Sequence, residues 1–408
     1  MNTGVYADKK IERMHDQFLA AQISGEQQSL GRWQSQTQAL ERVEIIFDET
    51  SGFGLNQAMS DFWNAWQDLV NNPAGHLERM SLAAKSEYLT SVFQSIDANM
   101  AQAQNDIDAN IQNAIGQINR ITGDIANLNV QITSAEVGGF SANDLQDKRD
   151  LLLNELSELI DVDSFYDNNG NLTVSVGTGQ PLVEAGHAWS LTTNPNGVGH
   201  QDIFWVASDG SQVDITASIG GGNLKGWLDV RDVHIADYNN RLDSLAGNLV
   251  AEVNGLHTTG LDVTGVLGQA FFNGTDASTI TLNPNIAIDV NLIAAAGATE
   301  GVPGGNANAV AIASLQHGLT MSGNTTTFDD FYNSLVSDVG GAVQAATTQR
   351  NHQSEMMALL QTYREEVSGV NLDEEMINLV KFQHAYDAAA NLISTVDEMM
   401  HTIINMAR

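Results

Sequence analysis

Apolar residues along the first third of the chain fall at Leu89, Phe93, Ile96, Met100, Ala103, Ile107, Ile111, Ile118, Ile121, Ile125, Leu128 and Ile132. The mostly alternating three-four spacing is that of a helix carrying a coiled-coil seam. No proline interrupts it between Pro73 and Pro181, and about 45 helical residues extend roughly 70 Å. Gly138-Gly139 and the cap-like run Ser141-Ala142-Asn143-Asp144 then precede a second amphipathic stretch, Leu145, Leu152, Leu153, Leu156, Leu159 and Ile160. A glycine break followed by a cap predicts that this stretch folds back on the first as a helical hairpin.

The period then shortens to two. Leu172 to Val176 follows the turn-forming run Asp167-Asn168-Asn169-Gly170, while Ile203 to Val206 and Val213 to Ile215 flank Ser208-Asp209-Gly210. Alternation bounded by Asn-Gly and Asp-Gly reads as antiparallel hairpins. Helical spacing returns at Leu224, Leu228, Tyr238, Leu242, Leu245, Leu249, Val253 and Leu256. The expected class is mainly α with inserted β: a long helical coiled-coil rod domain carrying a small antiparallel β domain, plus a C-terminal amphipathic helix. The expected layout is a first rod part at 1–161, the β domain at 162–222, a returning rod helix at 223–257, a small β or loop excursion at 258–305, a last rod part at 306–367 and a terminal assembly helix at 368–408.

That last helix carries Leu372, Met376, Leu379, Tyr386, Ala390, Ile393, Met400 and Ile404 on one stripe, with Phe382 beside it. Asp373, Glu374 and Glu375 in its first turn suit the helix dipole. A stripe about 55 Å long needs a partner. The segment from Val5 to Leu19 is short and runs into the Gln-rich stretch Gln22 to Gln38, so no comparable helix is legible at the other end. Leu372, Met376, Leu379, Phe382, Tyr386, Ile393, Met400 and Ile404 are therefore candidates for an assembly or chaperone-binding surface; the alternative is a helix packed within its own domain.

Composition narrows the partners. Fifty Asp and Glu against 17 Lys and Arg give a formal charge of -33, a field that repels phosphate backbones and anionic lipid; neither nucleic acid nor a membrane surface is expected. Hydrophobic residues make up 42% and charged ones 16%, so the acidity comes from scarce cations in a chain that folds. With no cysteine, there are no disulfides or thiolate sites. Met1 to Tyr6 shows no cationic patch followed by an apolar run, and no stretch of about 18 apolar residues occurs.

Motifs for chemistry are missing. The ten histidines form no H-E-x-x-H and no short pair, so neither a catalytic metal nor a cofactor is expected. Aligning Gly170 to the turn glycine of a calcium loop puts Phe165 and Val176 at ligand positions, which makes the run a hairpin turn. Gly220-Gly221-Gly222 could cradle an anion at a helix start but lacks the Walker ending and the Rossmann spacing. Phe62, Trp63 and Trp66 at helical spacing read as core. The acidic pairs Asp329-Asp330 and Glu365-Glu366 read as solvated faces.

The residues from Ser368-Gly369-Val370-Asn371-Leu372-Asp373 through Met376, Phe382-Gln383 and Ala385-Tyr386 to Leu392, Val396-Asp397-Glu398-Met399 and Ile404-Asn405-Met406 closely resemble the flagellar hook-associated protein 1 family. Ser60 to Leu69 with Asn71-Asn72-Pro73, Asn143 to Leu152, and Gly179 to Val183 follow in family order. The resemblance implies a non-enzymatic subunit of the bacterial flagellum, extracellular, exported by the flagellar type III apparatus without a cleaved signal peptide. It further implies self-association in an axial ring between the hook protein and hook-associated protein 3, after docking of an export chaperone. A further N-terminal helix, absent before Asn2, would pair with residues 371–406 and hold the export signal. Two other classes are a secreted coiled-coil binding module or adhesin, and a glycan-active enzyme using carboxylates such as Asp202, Asp209 or Asp214.

Overall fold

A computed structural model describes residues 17–49, 54–137, 142–368 and 372–406. The chain forms a larger unit, Ser24–Glu355, and a smaller one drawn from both of its ends, Met1–Ile23 with Met356–Arg408. Helix α1 (Gln17–Ile46) leads to α2 (Leu55–Asn71), the 62-residue α3 (His76–Val137) and α4 (Asn143–Leu159). By its length α3 extends about 90 Å. Its buried line runs through Leu82, Leu89, Phe93, Ile96, Met100, Ile107, Ile111, Ile118, Ile121, Ile125 and Ile132, the seam legible in the sequence. Two positions differ: Ala103 and Leu128 are half-buried, and Asn129, next to Leu128, is wholly enclosed. Helix α4 packs back on α3, where Arg149 donates to Asn129 Oδ1 at 2.8 Å. Gly138, Gly139 and Ser141 lie outside the described residues; α4 starts at Asn143 after Ala142, without a side-chain cap.

Seven strands follow. β1 (Val162–Tyr166), β2 (Leu172–Val176), β3 (Gln180–Glu184) and β4 (His187–Ala188) form one antiparallel sheet in that order, and β5 (Ser190–Pro195), β6 (Gln201–Val206) and β7 (Gln212–Asp214) form a second. The run Asp167–Gly170 is the β1–β2 turn: Asp167 Oδ1 accepts from the amides of Asn169 and Asn171, and Gly170 takes φ +77°. The chain then re-enters helix as α5 (Gly222–Asp229), a single π segment (Val230–His234) and α6 (Ile235–His257). After α6 come β8 (Phe272–Asn273), β9 (Thr281–Leu282), α7 (Pro284–Ile288) and α8 (Ala307–Ser314); α9 (Phe328–Ser368) and α10 (Leu372–Met406) complete the chain.

Phe62, Trp63 and Trp66 of α2 are core, as their spacing indicates. Phe62 lies 5.6 Å from Phe272 between ring centroids, Trp66 lies 5.3 Å from Phe271, and His257 lies 5.2 Å from Phe271. This aromatic group joins α2, the end of α6 and the segment after it. Beside it the buried Arg79 guanidinium donates to the carbonyls of Pro73 and Ile293, both at 2.6 Å, fastening the start of α3 to the later loops.

Candidate functional site

The large unit buries its apolar helix faces; α10 does not. Along α10, fourteen large apolar side chains from Met376 to Met406 are each at least 44% exposed, with Tyr386 at 76% and Ile393 at 68%. Single exposed apolar residues are ordinary, but a continuous array of this size marks an interaction surface. Full burial of one such side chain contributes about 1.5–3 kcal/mol, so a partner helix gains substantially by covering even a few.

The candidate residues fall on two lines. Met376, Leu379, Tyr386, Ile393, Met400 and Ile404 share one seam with Ala390, in a strict alternation of three and four residues broken by Gln383 and Asp397. Phe382 lies about 60° round the helix from Leu379 and about 40° from Tyr386. It opens a second seam that the sequence reading left out: Phe382, Ala385, Ala389, Leu392, Val396, Met399, Ile403 and Met406, again with three-four spacing. Its spacing is legible in the sequence, one residue out of step with the first seam. Two seams require coverage from two directions. Polar residues at core positions, here Gln383 and Asp397, fix register and partner number in coiled coils. Leu372 begins α10, and its side chain, like those of Asp373, Glu374 and Glu375, lies outside the described residues.

The other places where chemistry was sought are occupied by structural tasks. Gly220 and Gly221 direct their backbone amides at the Asp161 carboxylate, pulling against the burial that raises its pKa; the anion that this glycine run holds is the chain's own. Asp202 accepts from Asn196 Nδ2 at 3.0 Å. Hydrogen bonds from the Ser211 side chain and then its amide hold the Asp209 carboxyl below the usual carboxylate range, and Asp214 accepts from the amide of Thr216. The three carboxylates each serve a separate turn. Among the described residues, no group of three or more His, Asp or Glu is arranged to hold a metal, and no helix is long and apolar enough to cross a membrane.

Comparison with known families gives one decisive match: residues 40–272 fit the model of the flagellar hook-associated protein FlgK helical domain. The chain belongs to the flagellar hook-associated protein 1 family. Residues 361–406 fit a second model, the C-terminal region of the flagellar basal body rod FlgEFG proteins, and this is the segment that contains α10. Hook-associated protein 1 of Bacillus subtilis is 28% identical over 99% of this chain and 86% of its own length. The Escherichia coli protein is 25% identical over the whole chain and 90% of its own length. A solved structure, the flagellar hook junction protein FlgK from Burkholderia pseudomallei, superposes with a TM-score of 0.74 over 84% of this chain and 99% of that one, at 16% identity; it shares the fold. As a hook-associated protein 1 family member, the chain is a structural component of the flagellum, and its mainly helical fold with small antiparallel sheets is the family's.

Proposed function

We propose that this chain is a structural subunit of the junction between flagellar hook and filament, assembled with identical copies in an axial ring by burying the two seams of α10. The observation that carries the proposal is the exposed double seam itself, in the stretch that matches the C-terminal model of the basal body rod proteins. The names of the relatives and of the superposing structure support the junction as the site of assembly. The hook protein on one side and hook-associated protein 3 on the other are the proposed axial neighbours. Before assembly the same seams, from Leu372 and Met376 through Leu379, Phe382, Tyr386, Ile393 and Met400 to Ile404, are the surface an export chaperone covers. Delivery is by the flagellar type III apparatus.

The proposed division of labour follows the layout 1–161, 162–222, 223–257, 258–305, 306–367 and 368–408: the rod parts give stiffness, the inserted β domain an outer rib, and the last segment assembly. No catalytic step is part of this role.

The test uses the bacterium that encodes the chain, with the gene replaced by versions carrying Leu379→Asp together with Ile393→Asp, or Val198→Asp on the exposed turn between β5 and β6. A carboxylate buried in an apolar seam is strongly unfavourable. The α10 double variant is expected to leave hooks without filaments, and Val198→Asp to leave filaments normal. Normal filaments from the α10 double variant would overturn the proposal.

A further inference from the structure

The β domain rests on α3, and the contact has an unusual composition. Part of it is apolar: Ile111, Ile118, Ile121 and Ile125 share one core with Leu172, Val174, Val183 and Leu191. Apolar contacts are non-directional and tolerate sliding. Set among them are three polar side chains of α3, each bonded to backbone of the β domain.

Asn119 Oδ1 accepts from the amide of Leu191 at 2.8 Å, and its Nδ2 donates to the carbonyl of the same residue at 2.8 Å. Leu191 lies in β5, the edge of the second sheet. A neighbouring strand would make this same pair of bonds; here one side-chain amide makes both. Asn129 repeats the arrangement one sheet away. Its Oδ1 accepts from the amide of Leu172 at 3.0 Å, and its Nδ2 donates to the carbonyls of Leu172 at 2.9 Å and Ala185 at 2.7 Å. Leu172 belongs to β2 at the end where its pairing with β3 has stopped, and Asn129 fills that gap. Asp108 Oδ1 accepts from the amide of Gln201, the first residue of β6, at 3.1 Å and from the wholly buried Arg231 at 2.6 Å. Arg231 in turn donates to the carbonyl of Gln201 at 2.7 Å.

The spacings are 11 residues from Asp108 to Asn119 and 10 to Asn129. Each is close to three helical turns, so the three side chains line one face of α3 at intervals of about 15 Å. Every one recognises a particular backbone residue, and a slip by one residue would leave buried amides and carbonyls without partners. The pattern also covers the β5 edge, which exposed would be a template for pairing with another chain.

We infer that Asp108, Asn119 and Asn129 are positioning residues that lock the β domain in one pose on the rod, and that this lock can be opened while the rod stays folded. The apolar contacts supply adhesion, and the three polar side chains supply the register. In the junction the β domain then acts as a rigid rib rather than a tethered module.

The chain has no cysteine, so two introduced ones carry spin labels without interference: Ala101→Cys, exposed on α3, and Val198→Cys, exposed on the β5–β6 turn. Pulsed electron resonance on the full chain is expected to give one narrow distance distribution. With Asn119→Ala and Asn129→Ala added, the distribution is expected to broaden at least twofold while the helical circular dichroism is retained. Ile121→Val, which trims apolar packing at the same contact, is expected to lower the melting temperature and leave the distribution narrow. The inference is overturned if the asparagine variant keeps the narrow distribution, if its helical signal collapses together with the distribution, or if Ile121→Val broadens it equally.

Discussion

Burial strips His257 of its proton. Desolvation lowers its pKa from 6.5 to about 4, helped by the nearby Arg79, and the neutral ring is used at both nitrogens: Nδ1 donates to the carbonyl of Gln269 at 2.6 Å and Nε2 accepts from the amide of Ala294 at 2.9 Å. A base whose folded pKa is depressed stabilises the fold fully above its unfolded pKa and loses that contribution as pH falls towards the folded value. Stability is therefore expected to drop by about 3 kcal/mol between pH 6.5 and pH 4 from this group alone. Denaturant unfolding of the wild type and of His257→Gln across that window checks it: the wild type falls more steeply, and parallel curves would remove His257 as the cause. At this scale the sequence is only partly legible. Phe62, Trp63 and Trp66 announce a core by type and spacing. His257, Arg79, Asn119 and Asn129 do not, because a polar residue on a helix reads as surface until its backbone partner, tens or hundreds of residues away, is known.

Among the elements, the long apolar-seamed helices are the most readable and the polar ones the least. Helix α3 and the segment from Leu224 to Leu256 follow from their three-four spacing. Helix α1 does not, since its 30 residues include the Gln-rich stretch and it buries Ser24, Ser35, Gln36 and Thr37 alongside Leu40 and Val43; a partly polar seam has no hydrophobic period to detect. The π segment Val230–His234 has no sequence signature either, though it sets Arg231 beneath the β domain. The junction of α4 with α5 depends on a single glycine. Gly222 takes φ +71°, and a Cβ there would clash with the backbone of Ile160. Gly222→Ala combines a left-handed backbone with a backbone clash and is expected to destabilise the large unit by more than about 1 kcal/mol, measured as a lowered denaturant midpoint with unchanged slope. An unchanged midpoint would show that the α4–α5 approach relaxes freely.

For the whole molecule, the decisive quantity is how the few cations are spent. Arg32, Arg42, Lys85, Arg120, Lys225, Arg231 and Arg241 pair with carboxylates of their own chain, while Arg79 and Arg149 bond chain carbonyls. Copies brought side by side thus confront each other with a net charge of -33 each, and on the proposed reading the attraction between them is apolar. Association of copies is expected to strengthen as salt rises from about 0.01 M to 0.15 M, where the screening length falls from about 30 to about 8 Å; sedimentation across that range checks it, and weakening with salt would instead indicate charge-complementary faces. The sequence showed the apolar stripe of the last helix and, through its resemblance, the family; it could not show what covers the stripe, because apolar spacing marks a face and not its partner. The most direct measurement is the reactivity of a single introduced thiol, Ile393→Cys, towards a maleimide, compared with Val198→Cys. The thiol of Ile393→Cys is expected to react readily in the free chain and to be protected in assembled flagella, while that of Val198→Cys is expected to react in both. Equal reactivity of position 393 before and after assembly would contradict the claim that α10 is the surface on which the junction is built.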